Sequence, residues 1–367
     1  MTGRLLSLIL ILSACTATQT PPTPASPPPK SLPANVPTIP TSAPSPIPTP
    51  TNQPATRLLF TGDINPGRCV AQIVTTADDY TLPYHYVAAE LLAADITIGS
   101  LDGSITDRAA PMNCPRTMNL VGPSRMVEGF QFAGFDVISV GTNHIKNCGF
   151  VGCWDDALLD SMATLEVSGI APVGGGDSLA AARAPVIIER NGVHFAFLAA
   201  SSIGKEMWAT ETEPGTAPLT SENLTADIAA AREIADVVIV LPQWGGEYKH
   251  LPDWDQFRLA GDMMEAGATL VIGNQAHWVQ AVEEFPNGVV AYALGNFVFD
   301  QYWSEKTKQG MVFEAVFRGS TLESWRLIPI HIHDSFQPRW ADEAEAAEIL
   351  TNVQQASEQM KTERGAR

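Results

Sequence analysis

The chain has 367 residues, 45% hydrophobic and 17% charged, a globular composition that excludes wholesale disorder. It carries 22 Lys and Arg against 40 Asp and Glu, for a formal net charge of -18. No window clusters the basic residues that a phosphate backbone requires, so a nucleic-acid partner is excluded. No window after the N-terminus holds the ~20 apolar residues of a membrane span, which excludes a polytopic membrane protein.

The first residues read MTGRLLSLILILSAC. Arg4 supplies a short basic region, and Leu5 to Leu12 is an apolar run too short to cross a bilayer, the pattern of a signal peptide over residues 1–14. Its end, Leu12-Ser13-Ala14-Cys15, resembles the bacterial lipobox, which implies cleavage before Cys15 and lipidation of that cysteine. Residues 15–56 then form a tether. Residues 16–56 hold half of the chain's 28 prolines, mixed with Thr, Ser and Ala, and contain no acidic or aromatic residue. Such a segment buries too little surface to offset its chain entropy. Extended at ~3.1 Å per residue, it holds a folded domain up to roughly 100 Å from its anchor. All the acidic residues and all the basic ones except Arg4 and Lys30 lie beyond it, so residues 57–367 are more acidic than the whole.

Four cysteines remain in this exported part, Cys69, Cys114, Cys148 and Cys153, and an even number in such a setting suggests disulfides. Three pairings exist. The small Gly-containing loop between Cys148 and Cys153 favours that pair and leaves Cys69 with Cys114.

From residue 57 onward, short apolar runs alternate with helical stretches. Strands are expected at Arg57–Thr61, Ile96–Gly99, Phe135–Val140, Val186–Glu189, His194–Ala199, Val237–Leu241, Thr269–Ile272, Val289–Leu294 and Met311–Phe317. Helices are expected at Pro123–Phe132, Trp154–Val167, Ser221–Ile234, Asp253–Ala266 and Ala341–Gln359, two of them with apolar residues at 3–4 spacing. This order predicts a single α/β domain of layered sheets flanked by helices.

Six of the expected strands end in a small residue or proline followed by a hydrogen-bonding or metal-type side chain. The endings are Gly62-Asp63, Ser100-Leu101-Asp102, Thr142-Asn143-His144, Pro242-Gln243-Trp244-Gly-Gly-Glu247, Gly273-Asn274-Gln275-Ala276-His277 and Gly295-Asn296. Ligands bind outside the carboxyl ends of strands in open α/β sheets. An aspartate after one strand is commonly a turn former or helix cap. Six such endings together predict one shared pocket. Trp208, Trp244, Trp254, Trp278, Trp303 and Trp340 are compatible with lining a saccharide or peptide groove, but most read as packing residues; Trp244 and Trp278 stand directly beside these motifs. His331 and His333 flank Ile332 at strand spacing and read as solvent-facing.

The series resembles the CapA family, the capsule or poly-gamma-glutamate synthesis proteins, whose fold is similar to calcineurin-like metallophosphatases. The resemblance runs from about Leu58 to Phe317. Its most specific stretches are Trp244-Gly-Gly-Glu-Tyr248, Glu-Ala-Gly-Ala-Thr-Leu-Val-Ile-Gly273 and Ala-Leu-Gly-Asn-Phe-Val-Phe-Asp300. The family's Asn-Leu-Glu appears as Ser100-Leu101-Asp102 and its Asn-Asn-His as Thr142-Asn143-His144. Its His-Trp-Gly appears as Gln243-Trp244-Gly245, and its Gly-His-His-Pro-His as Gly273-Asn274-Gln275-Ala276-His277.

This resemblance implies metal-ligand roles for Asp63 and Asp102, completed by Asn143, His277 and Gln243. It implies His144 as general acid or hydrogen-bond donor, and Glu247, Trp244, Asn274, Gln275 and Asn296 as substrate contacts. The cofactor is expected to be a divalent metal, among Mn, Mg, Ca, Fe and Zn. The lost histidines are the ligands that suit Zn or Fe, whereas the amides in their place suit Ca, Mg or Mn, or hydrogen-bond a substrate directly. Two functions are compatible with this pattern. One is a metal-assisted hydrolase or transferase in surface-polymer biosynthesis, export or anchoring. The other is a non-catalytic polymer-binding or scaffold module. Both place a lipid-anchored protein outside the bacterial cell membrane, with the polymer or its precursor and the synthesis machinery as partners.

Overall fold

The computed structural model describes residues 53–365, apart from 110–113, 115–116, 150 and 335. The expected signal peptide, Cys15 and nearly all of the expected tether lie outside the described residues. Two sheets dominate. In one, strands follow the spatial order Gln337–Trp340, Thr321–His333, Gln309–Arg318, Ala55–Ile64, Ile96–Leu101, Val137–Ser139 and Ala171–Val173, with Asn296–Val298 also pairing to Ala55–Ile64. The other runs Val282–Phe285, Gly288–Ala291, Leu270–Ile272, Val237–Gln243, Val193–Ser201 and Val186–Arg190.

Alternation of side chains along each strand makes these sheets two inner layers. Leu58 and Phe60 point into a core shared with Phe195, Phe197, Val237 and Ile239 of the other sheet, while Leu59 joins a different core on the far side. Val238 and Val240 likewise turn away from Val237 and Ile239. Continuous apolar runs such as Val237–Leu241 are therefore what a strand covered on both faces requires. Outside the first sheet lie the helices Arg68–Ala77, Val127–Ala133 and Asp155–Val167; outside the second lie Ser221–Arg232 and Trp254–Ala266. The layers are helix, sheet, sheet, helix.

Local chemistry sets several boundaries. Asp253 and Gln256 form a reciprocal capping box at the start of Trp254–Ala266, and Gly267 closes its end at φ 108°. Thr220 caps Ser221–Arg232 by accepting from the Asn223 amide. The C-terminal helix Glu343–Gly365 packs against both sheets. Ile349 and Val353 enter the inter-sheet core, and Ala356 and Met360 enter the outer core of the second sheet.

The expected strands and helices are all present, with shifted ends. The first strand starts at Ala55, inside the segment read as tether, and Phe135–Val140 contracts to Val137–Ser139. The strand Thr321–His333 corrects one reading. His333 is exposed, but His331 is covered, with Nε2 2.7 Å from Glu305 Oε1 and Nδ1 3.8 Å from Glu345 Oε1. The disulfides are Cys69–Cys114 and Cys148–Cys153, the favoured pairing.

Candidate functional site

Ala55–Ile64, Ile96–Leu101 and Val137–Ser139 run parallel, as do Val193–Ser201, Val237–Gln243 and Leu270–Ile272, so the carboxyl ends within each sheet share an edge. Asp63 stands opposite Ser100 on one side and Asn296 on the other, and Gln243 is bridged to Asn274. The two edges meet where the Gln275 amide donates to Asp63 Oδ2 at 3.2 Å.

Two glycines permit this approach. A Cβ at Gly62 would lie 2.0 Å from the Gly295 carbonyl oxygen, and one at Gly273 would lie 2.1 Å from the Tyr292 oxygen and 2.3 Å from Trp244 Nε1. The turn after Gly273 is strained, with Gln275 at φ 96° and His277 at φ 55°. Non-glycine residues seldom adopt such angles, and they gather at functional sites.

The polar cluster where the two edges meet, the floor of the expected pocket, is incompletely paired. Gln243 Nε2 donates to Gln275 Oε1 at 2.8 Å and lies 3.4 Å from Asp102 Oδ1. Five other oxygens, Asp63 Oδ1, Asp102 Oδ2, Asn143 Oδ1, Gln243 Oε1 and Asn274 Oδ1, are shielded from solvent and accept no hydrogen bond from the protein. Each such buried acceptor costs about 1–3 kcal/mol, and more where it is charged. Burial pushes the Asp63 carboxyl well above the usual carboxylate range, and the charge of Asp102 adds to this.

His277 Nδ1 lies 2.9 Å from Asn296 Oδ1 and 3.7 Å from Asp63 Oδ2. Burial holds its pKa below the ordinary value, although the charges of Asp102 and Glu247 act in the opposite direction. His144 Nδ1 lies 3.0 Å from Asn147 Oδ1, which also accepts the Leu120 amide at 2.7 Å. Asn147 Oδ1 is therefore the acceptor, and His144 carries its hydrogen on Nδ1. Neutral His144 then offers Nε2 as an acceptor, and it donates from Nε2 only when protonated. Tyr248 stacks on His277 with ring centroids 5.9 Å apart. Its hydroxyl is pushed up to about 12 by burial and by the neighbouring Glu247 charge.

The structure thus gathers Asp63, Asp102, Asn143, Gln243, Asn274, Gln275, His277 and Asn296, with His144 and Glu247 close enough for their charges to reach His277. Trp244 sits differently. It is buried, stacks on Tyr292 and donates its indole N–H to the Tyr292 oxygen at 2.8 Å, supporting the pocket from the core side. Trp340 is also buried, whereas Trp254 and Trp303 are exposed.

Several supporting residues were missed in the sequence. Asp300 receives Asn65 Nδ2 and Arg68 Nε, each at 3.0 Å, and the Cys69 amide at 3.1 Å. This cluster ties the loop after the first strand to the segment after Asn296. Asp300 closes one of the most specific stretches of the sequence, so its position was visible although its role was not. Tyr248 likewise closes the specific stretch that begins at Trp244, whereas Asn147, Gln301 and Thr307 carried no comparable signal.

The family described as Bacterial capsule synthesis protein PGA_cap matches residues 57–301. The chain belongs to this family. It is 28% identical over 278 residues to the PGA biosynthesis protein CapA of Bacillus subtilis (strain 168), covering 75% of this chain and 71% of that protein. It is 28% identical over 285 residues to the capsule biosynthesis protein CapA of Bacillus anthracis, covering 76% and 67% respectively. Similar solved structures include a novel phosphatase from Mycoplasma pneumoniae, with TM-score 0.47, 11% identity and coverage of 77% of this chain and 95% of that one. Another is a putative 5'-nucleotidase from Staphylococcus aureus, with TM-score 0.46, 14% identity and coverage of 83% and 58%. Likenesses at that level carry no weight for the chemistry, which rests on the site's own atoms.

Those atoms can be tested against a metal. Among the described residues no three His, Cys, Asp or Glu side chains are grouped to hold one. The imidazole-rich donor set of a transition-metal pair is therefore not formed. Two carboxylates and three side-chain amides with unpaired oxygens remain, a set that suits a hard, oxygen-seeking cation. No helix among the described residues is long and apolar enough to cross a membrane.

Proposed function

We propose that this family member works outside the cell membrane, held by lipidated Cys15 and the Pro/Thr-rich tether, in making, exporting or anchoring a surface polymer of the capsule or poly-gamma-glutamate type. Its pocket binds the polymer or a precursor. The names of the two CapA relatives support the polymer class. The carrying observation is the floor of five shielded, unpaired oxygens where the two sheet edges meet. Such an arrangement weakens the fold, so its use lies in what it receives from outside.

Binding of poly-gamma-glutamate of defined length to the full-length protein, measured beside a neutral polysaccharide, tests this reading. Saturable binding that is lost in Asp102→Asn supports it. No binding by the wild-type protein would sink it.

A second reading, a metal-assisted hydrolase or transferase, is favoured by the His144–Asn147 contact, which orients an imidazole beside the pocket. A bound divalent cation supplies Lewis-acid polarisation of a phosphoryl or carbonyl oxygen. Asp63, Asp102 and the amide oxygens would hold it, and His144 would exchange the proton through Nε2. His144→Ala should abolish turnover of phosphoester or glutamyl-peptide substrates without changing thermal stability. Unchanged turnover removes His144 from any mechanism.

A further inference from the structure

The pocket floor has a definite ligand chemistry. Asp63, Asp102, Gln243 and Asn274 are at most 5% exposed, and each carries a shielded oxygen without a partner, as does Asn143 beyond the neighbouring strand Val137–Ser139. They are linked side by side. Gln243 contacts Asp102 and Gln275, the Gln275 amide contacts Asp63, and Gln243 is bridged to Asn274. Two of the nearby donors are spent. Gln243 Nε2 serves Gln275, and Asn296 Nδ2 serves Gln301 and Thr307. Among the described residues no Lys or Arg forms an ion pair with either carboxylate; Arg68 is committed to Asp300 and the Lys146 ammonium to the Pro214 oxygen and Asp155, and the basic side chain beside Asp63 is His277, at 3.7 Å.

We propose that Asp63, Asp102, Asn143, Gln243 and Asn274 form an oxygen-only site for one hard divalent cation of the calcium class, in place of a transition-metal pair. Calcium takes 6–8 oxygen ligands, so five from the protein leave about one to three positions for water or for an oxyanion of the bound molecule. Magnesium keeps most of its own waters and suits a cage of five protein oxygens less well. His277 stands outside the set because, with Nδ1 spent on Asn296 Oδ1, it offers only the Nε2 nitrogen, and a calcium-class cation takes oxygen ligands. The site deepens the proposed binding function and shares its pocket. Cation binding is read without any polymer, so its failure and the failure of polymer binding are distinguishable.

The test uses the full-length protein stripped with a chelator and titrated calorimetrically with CaCl2, MnCl2, MgCl2 and ZnCl2, with melting temperature followed in parallel. One equivalent of Ca2+ or Mn2+ is expected, with a raised melting temperature and weaker binding of Mg2+ and Zn2+. Asp63→Asn and Asp102→Asn should each weaken affinity by about 100-fold, the upper end of the loss seen when even a ligand's own hydrogen-bond partner is removed, with folding checked in chelator. Asn274→Ala should weaken it by roughly 10-fold, and His277→Gln should leave it within about threefold. Two equivalents of Zn2+ or Mn2+ that His277→Gln abolishes would overturn the proposal. So would Ca2+ binding unchanged in both aspartate variants, or no binding of any of the four metals by folded protein.

Discussion

His277 and Asn296 hold one another in a defined orientation across the floor of the pocket, with Nδ1 and Oδ1 2.9 Å apart. Asn296 Nδ2 donates to Gln301 Oε1 at 3.1 Å and to the Thr307 carbonyl at 2.9 Å. Its Oδ1 can then only accept, so His277 carries its hydrogen on Nδ1 and keeps the lone pair on Nε2. Asn296→Ala strips three partners from a fully buried position and should destabilise the protein by about 3 kcal/mol in urea unfolding. A change below about 1 kcal/mol would mean that this network does not fix the histidine.

Asp63 predicts a change of the opposite sign. It is fully buried beside a second carboxylate, and its Oδ1 has no partner. Asp63→Asn removes an acid that is costly to ionise while keeping an oxygen for the Gln275 amide, and it places N–H donors among unpaired oxygens. Metal-free protein at neutral pH should gain about 1–3 kcal/mol of stability. Denaturant unfolding in chelator measures this directly, and a destabilised variant would contradict the description of the floor.

The disulfides divide unequally between fold and site. Cys69–Cys114 closes a loop of sequence separation 45, whereas Cys148–Cys153 closes one of 5. Loop-closure entropy assigns about 4 kcal/mol to the first and about 2 kcal/mol to the second. Paired serine replacements should reproduce that order in unfolding midpoints. The short loop lies just beyond Asn147, so its loss should also loosen His144, visible as a shift in the imidazole NMR signal. An equal or inverted order of stability losses would show that native contacts, not chain entropy, decide the effect.

Much of the site was legible because strand periodicity and strand endings are local signals. The run Val237–Leu241 announces a strand covered on both faces, and the Gly-Asp, Gly-Asn and Asn-His endings mark its edge. Other features are long-range and leave no local trace. Trp244 looked like a pocket contact by its position next to Gln243. Yet one step along an extended chain turns a side chain to the opposite face, and there it packs on Tyr292. His331 looked exposed because its cover, Glu305 and Glu345, comes from segments 26 residues before and 14 residues after it. The pairing of Asp300 with Asn65 and Arg68 depends on tertiary contact over more than 230 residues.

The first turn of the C-terminal helix should loosen in acid through a particular pair. Burial alone raises the Glu345 carboxyl, but hydrogen bonds from Arg339 at 2.6 and 2.7 Å and from the Asp342 amide at 2.8 Å bring it down to about 2. The folded value lies below the usual 4.5. Between these values the unfolded chain binds more protons, so this stability is fully present above about pH 4.5 and is lost as pH falls toward 2. The pair is partly exposed, at 29% and 23% of the side chains, so solvent screening reduces its worth to about 1 kcal/mol. Glu345→Gln should therefore unfold about 1 kcal/mol more easily than wild type at pH 7 and about equally at pH 2. Amide exchange in Glu343–Gly365 should quicken with it, since Arg339 ties that helix to the edge strand Gln337–Trp340. A difference that persists undiminished at pH 2 would place the effect in packing instead of charge.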